Sequence, residues 1–167
     1  MLNITPAALD HLPVIRDIAY RTWPATFGEI LSPEQIAYML EMMYSLDALR
    51  EQVNEKQHVF LLATEPDSDQ FLGYASYELN YQNQPITKIH KIYILPESQG
   101  KGVGNALISA VTDVARQHGN TALSLNVNKH NKAVRFYERI GFAIAKTETI
   151  DIGNGFIMDD LVMIKPL

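Results

Sequence analysis

The period of the apolar residues changes repeatedly along the chain, and each change predicts an element. Leu2 to Ile4 reads as a short first strand, after which Leu9, Leu12, Ile15, Ile18 and Ala19 recur at helical spacing. Thr5 followed by Pro6 is expected to cap and open that helix, which should run to about Tyr20 or Thr22. Trp23 to Gly28 is predicted as an aromatic turn, because Pro24 and Gly28 stop regular structure. Ser32-Pro33-Glu34-Gln35 begins a second helix striped by Ile36, Met39, Leu40 and Met43, and a shorter helix follows from Ser45 or Asp47 through Glu55.

The pattern then turns to strands. His58 to Thr64 is nearly continuous in apolar residues, as a strand buried on both faces would be. Phe71 to Leu79 and Ile86 to Leu95 follow, joined by turn-forming polar residues, so three strands form an antiparallel meander. Val103 to His118 is an amphipathic helix closed by Gly119, Ala122 to Val127 is a strand, and Ala133 to Ile140 is a helix stopped by Gly141. A hairpin beginning at Phe142, turning over Asp151 to Gly155 and returning from Phe156 to Ile164, completes the order. No repeat, low-complexity tract or linker interrupts it, so residues 1–167 are expected to form one domain.

Chemistry concentrates where the third meander strand ends. Pro96 closes it, and Gln99-Gly100-Lys101-Gly102-Val103-Gly104 leads directly into a helix. A helix N-terminus offers unpaired backbone N–H groups and the positive end of the macrodipole, which favours phosphate, and glycines let the backbone approach it closely. The P-loop is excluded because Asn105-Ala106, not Lys-Ser or Lys-Thr, follows Gly104. A dinucleotide fingerprint is excluded because position 105 is not Gly and no carboxylate lies near Thr121. Gln99-x-x-Gly102-x-Gly104 is left, with a ligand-free glycine-rich connection as the plain alternative.

Composition narrows the classes. A net charge of −5 without a basic stripe argues against nucleic-acid binding, and 47% apolar with 20% charged residues is ordinary for a globular domain. No cysteine is present, which removes disulfides, thiolate zinc sites and acyl-cysteine chemistry. The N-terminus has no signal-peptide pattern, and no apolar run approaches the roughly 18 residues of a membrane span, so no membrane association and a cytoplasmic location are expected. No His-Glu-x-x-His or Gly-x-Ser-x-Gly pattern occurs, so no metal is expected.

The Gln99-to-Gly104 motif resembles the pyrophosphate-binding motif of the GCN5-related N-acetyltransferases. The stretch Asn126 to Phe142, with Asn131 and Tyr137, is similar to that family's second cofactor motif. The likeness extends over nearly the whole chain and is nearest to the branch that includes spermidine/spermine acetyltransferases. It implies an α/β fold of the α+β kind, a mixed and mostly antiparallel sheet of six to seven strands with helices on both faces. The two central parallel strands would splay in a V that admits the pantetheine arm of acetyl-CoA.

The resemblance also implies roles. Backbone groups of Ile92, Tyr93 and Ile94 would hold the arm. Gln99, Gly100, Lys101, Gly102, Val103, Gly104 and Asn105 would hold the pyrophosphate, and Asn131 would touch the cofactor. Lys101, Lys129 or Lys132 would reach the 3′-phosphate, unless they form a solvated basic face. Tyr137 matches the general acid that protonates the departing thiolate, with a core aromatic as its plain alternative.

An amine of pKa near 10.4 is only about one part in a thousand neutral at pH 7, so a base is also needed. His90 stands where many relatives carry Glu, and strict alternation would put it on one face with Ile92 and Ile94. Its candidate role is therefore that base, with a structural histidine equally open and Glu78, Asp159 and Asp160 as acidic alternatives. Trp23, Phe27, Tyr77 and Glu78 are expected to border the acceptor. The expected function is direct acetyl transfer to a small-molecule primary amine in a ternary complex. A polyamine ranks ahead of an amino acid, aminoglycoside or protein N-terminus, and a non-catalytic acyl-CoA sensor is the other class. A homodimer is an open expectation.

Overall fold

A computed structural model describes residues 1–167. One seven-stranded sheet orders the molecule: β1 (Asn3–Pro6), β2 (Val59–Thr64), β3 (Phe71–Glu78), β4 (Ile86–Ile94), β5 (Ala122–Asn128), β7 (Phe156–Pro166) and β6 (Ala143–Gly153), in that spatial order. Every neighbouring pair is antiparallel except β4 and β5, which run parallel. Five helices cover the sheet: α1 (Leu12–Phe27), α2 (Pro33–Tyr44), α3 (Leu46–Asn54), α4 (Val103–Gln117) and α5 (Ala133–Arg139). None is long and apolar enough to cross a membrane.

Alternation along β2 shows how the sheet divides two cores. Phe60 and Leu62 pack with Trp23, Leu40, Tyr44 and Leu49 under α1 to α3, whereas Leu61 and Ala63 pack with Leu107, Val111 and Ala115 of α4. Each fully buried leucine of this kind contributes roughly 1.5–3 kcal/mol. Local signals set the helix starts: the Ser32 hydroxyl accepts from the Gln35 N–H at 3.1 Å and the Ser45 hydroxyl from the Ala48 N–H at 3.1 Å.

Three expectations are corrected. Thr5 and Pro6 do not open a helix; they extend β1 and pair with Leu62 and Leu61. An edge strand tolerates Pro6 because its missing N–H breaks no interior ladder, and the first helix begins instead with a 3-10 turn at Leu9–His11. Trp23 to Phe27 is not a turn, for α1 continues through Pro24 to Phe27. A mid-helix proline costs about 3 kcal/mol, and burial of Trp23 and Phe27, whose rings meet at 4.7 Å, offsets it. The last hairpin turns over Asn154 and Gly155 alone, and Asp151 to Gly153 remain in β6.

The decisive irregularity lies in β4. Ser76 pairs with Lys91 but Tyr77 pairs with Ile89, so His90 is an extra residue in the strand. Such a bulge bends its strand and increases the local twist. Pairing of β4 with β5 ends at Ile89 and Leu125, at this same point.

Candidate active site

Beyond Ile89 and Leu125 the two parallel strands separate, although β4 continues to Ile94 and β5 to Asn128. Both strands stay paired on their outer sides, with β3 and β7. The inner edges therefore carry backbone groups with no strand opposite. Leu95 donates to the Leu72 carbonyl across β3, and antiparallel alternation then turns the backbone of Ile94 and Ile92 into the gap. The Gln99 amide covers the Ile94 carbonyl at 3.3 Å. The Ile94 N–H and both backbone groups of Ile92 are left to receive an extended guest.

The gap opens into a cleft of about 940 Å³. At one end stands the glycine loop. Gly100 and Gly102 have φ of +80° and +78°, and a Cβ added to either would meet no protein atom within 4 Å. Both conformations suit glycine, and the space left by the absent side chains belongs to the cleft. Gly102 caps α4, so the N–H groups of Val103, Gly104 and Asn105 have no intrahelical acceptor. Gly104 differs: its added Cβ would lie 3.2 Å from Phe136 and 3.3 Å from Ile94, so it permits close packing. Asn131 and Lys132 border the same end, the Asn131 side-chain oxygen accepting from the Ala133 N–H at 2.9 Å.

In the middle, Tyr137 of α5 packs edge-on to Phe136 and Phe142. Its hydroxyl has no protein partner, yet it is not among the sealed unpartnered polar atoms, which are Trp23 Nε1, His58 Nδ1 and Ser76 Oγ; it opens on the cleft. Burial raises its pKa well above the ordinary phenol value.

The other end is walled by Tyr93, whose ring lies 5.7 Å from Trp23 and 6.4 Å from Phe27. Two charged groups are enclosed there. Asp160 of β7 is 2% exposed, accepts from Asn126 at 3.3 Å, and is held above the usual carboxylate range by burial. Lys91 is 6% exposed, donates to the Gln52 side-chain oxygen at 2.7 Å, and is pulled down by burial to about 7.

Most of the expected site residues border this one cleft: Trp23, Phe27, His90, Ile92 to Ile94, Gln99, Gly100, Gly102 to Asn105, Asn131 and Tyr137. Five placements differ. The bulge puts Ile89, not His90, in the α4-side core with Ile92 and Ile94. The His90 ring instead stacks on His58 at 3.9 Å and meets Glu78 at 2.9 Å, and burial lowers its pKa to about 2. Tyr77 packs in the α4-side core, and Glu78 is occupied with His90, so neither borders the cleft. The Lys101 amine turns to Glu65 at 3.0 Å, and Lys129 pairs with Asp159.

Sequence reading missed Lys91, Asn126, His130 and Arg139, which all line the cleft. No local signal marked the first, because its strand also carries Thr87, Lys88 and His90. A separate hollow of about 600 Å³, lined by Leu2 to Thr5, His11 and Phe71, sits at the β1 edge of the sheet.

These features fit acetyl-CoA: an unpaired strand edge for the arm, and a loop whose glycines leave room for phosphates over free N–H groups. A family model described as an acetyltransferase (GNAT) domain matches residues 29–158. An uncharacterised N-acetyltransferase of Mycobacterium tuberculosis is 30% identical over 151 residues, covering 90% of this chain and 94% of that protein. The spermidine N(1)-acetyltransferase of Thermoplasma acidophilum is 22% identical over 162 residues, covering 95% and 96%. The solved PaiA N-acetyltransferase of Thermoplasma acidophilum in complex with coenzyme A superposes with a TM-score of 0.83 at 20% identity, covering 100% of this chain and 99% of that one.

Proposed function

The chain belongs to the GNAT family and is an acetyl-CoA-dependent N-acetyltransferase, and we propose that its acceptor is a small primary amine with further positive charge, a polyamine in type. The observation that carries this reading is Asp160, a carboxylate enclosed at the acceptor end of the cleft. The likeness to a spermidine acetyltransferase agrees with it.

Acetyl-CoA supplies the activated acyl group. Ile92 and the Ile94 N–H take the place of a missing strand neighbour along its arm, and Val103, Gly104 and Asn105 direct their N–H groups at its phosphates. Lys132 and Arg139 border the cleft and balance the phosphate charge. Tyr137 holds its proton at all physiological pH, because burial disfavours the phenolate, and its hydroxyl donates to the departing sulfur.

Asp160, not His90, faces the incoming ammonium. Its pKa is raised by enclosure, the direction a proton acceptor requires, whereas His90 is pushed too low to hold a proton. Tyr93, Trp23 and Phe27 exclude water from the reacting end.

Thiol release from acetyl-CoA, followed with a panel of amines, tests this reading. A polyamine should surpass a monoamine of equal length by about tenfold or more in kcat/KM, and Asp160→Asn should remove the preference. Tyr137→Phe should lower kcat by about a hundredfold or more. Equal rates for monoamine and polyamine, or turnover confined to amino acids or peptides, would overturn the acceptor assignment.

A further inference from the structure

Four polar side chains cross the sheet on the face opposite α4. Lys88 of β4, Asn126 of β5, Asp160 of β7 and Glu148 of β6 come from four successive strands, and by alternation Ile89, Leu125, Val127 and Leu161 beside them pack on the α4 side instead. Lys88 donates to Asn126 Oδ1, and Asn126 Nδ2 stands 3.3 Å from Asp160 Oδ2 and 3.4 Å from Glu148 Oε1. Asn126 and Asp160 border the cleft, and Lys88 stands behind them. We propose that Lys88 and Asn126 are positioning residues for acetyl transfer: Lys88 anchors the Asn126 amide, and that amide holds the Asp160 carboxylate toward the acceptor ammonium. This inference rests on the acceptor role of Asp160.

Donor and acceptor chemistry allows the amide one orientation. An ammonium only donates and ionised carboxylates only accept, so Lys88 meets the Asn126 oxygen and both carboxylates face its nitrogen. Lys88 is the one side chain bonded to that oxygen. Without it, nothing holds the amide against rotation into the cleft.

The arrangement is costly for packing alone. Glu148 and Asp160 are direct partners across β6 and β7, where like charges destabilise a sheet. Asp160 is 2% exposed, and Asn126 is its only side-chain partner. Its Oδ1 has no protein donor and is not among the sealed unpartnered atoms, so it opens on the cleft. A buried carboxylate without a cation is unfavourable, and an ammonium guest supplies one. Both amide contacts are longer than the ordinary bond of about 2.9–3.0 Å, so Asn126 steers the carboxylates without saturating them.

The sign of the Lys88 charge separates two roles. Lys88 is 8% exposed and lies over the Tyr81 ring, 5.3 Å from its centroid. Burial pulls its amine below the ordinary lysine range, and Glu148 and Asp160 oppose that pull. Of the other charges around Asp160, Lys146 pairs with Glu148 at 3.7 Å and Asp159 pairs with Lys129. Acting only as a charge, Lys88 would repel a cationic acceptor, and its removal would help catalysis. Acting through Asn126, its removal misplaces Asp160 and harms catalysis.

Thiol release from acetyl-CoA with a polyamine, measured on Lys88→Met and Asn126→Leu, tests the assignment. Each variant should lower kcat/KM for the polyamine at least about tenfold while KM for acetyl-CoA stays within about twofold, a split that general loss of structure does not produce. Asp160→Asn should cost less in either background than in the unaltered chain, because amide and carboxylate act as one unit. In the unaltered protein, where no substitution disturbs folding, the side-chain amide resonance of Asn126 should shift when polyamine is added. Polyamine kinetics that are unchanged or improved in both variants, fully additive losses, or an amide resonance unmoved at saturating polyamine would overturn the proposal. Asp160→Asn with unaltered polyamine kinetics would instead bring down the acceptor reading and this inference together, whereas impairment by Asp160→Asn with both positioning variants unaffected overturns this inference alone.

Discussion

Replacing Gly102 by Ala separates the ligand-binding glycine from the packing glycine. Gly102 has φ of +78°, and no protein atom lies within 4 Å of an added Cβ. The substitution therefore meets no clash, and its stability effect is the left-handed penalty alone, about 1–2 kcal/mol. For a chain of this size that lowers the thermal midpoint by roughly 2–8 °C. The new methyl group would occupy the space where phosphate must approach the N–H groups of α4. Losing one charge-assisted hydrogen bond there is worth about 1.5–3 kcal/mol, a weakening of acetyl-CoA binding by roughly 10- to 150-fold.

Gly104→Ala should behave in the opposite sense. Its Cβ would press on Phe136 at 3.2 Å and Ile94 at 3.3 Å, so helix packing suffers first. Calorimetric titration of acetyl-CoA into both variants, with thermal unfolding measured alongside, reads the two effects independently. A Gly102→Ala protein that loses stability as calculated yet binds acetyl-CoA within twofold of the unaltered chain would refute the phosphate-cradle reasoning.

Other outcomes follow from individual residues. The folded pKa of Asp160 is raised, so its stabilising contribution is present below the unfolded carboxylate value of about 3.9 and is lost as pH rises through the folded value. Asp160→Asn should therefore raise the thermal midpoint at neutral pH while impairing polyamine turnover, with the stability gain vanishing as pH falls toward 4. Lys101→Ala should change acetyl-CoA affinity by less than about twofold and stability by less than about 1 kcal/mol, since its amine sits in an exposed pair with Glu65. Leu107→Ala, which empties a fully buried position on α4, should lower unfolding free energy by about 2–5 kcal/mol in denaturant titration.

The sequence could be read as far as local signals reached. Short runs rich in apolar residues at 59–64 and 71–78, helical spacing after Gly102, and the caps at Ser32 and Ser45 all act within a few residues, and each matches its element. The errors arose where distant contacts outweighed a local preference. Pro24 signals a break, but Trp23 and Phe27 are buried against Tyr93, about 70 positions later, and the helix continues. Strict alternation assigned His90 to the face of Ile92, and only the register against β3 reveals the bulge that moves it to Glu78 and His58.

The site was legible to a similar depth. The glycines and Tyr137 belong to contiguous motifs and border one cleft. Lys91, Asp160 and the turning of Lys101 to Glu65 depend on which strands meet, and no spacing announces them.

Amide hydrogen exchange with and without coenzyme A addresses the separated strands most directly. Protection should rise at Ile92 and Ile94 and at Val103 to Asn105, where free N–H groups face the gap and the loop, while β1 and β2 stay unchanged. Protection at neither segment, with the ligand demonstrably bound, would contradict the claim that the gap between β4 and β5 receives the acyl donor.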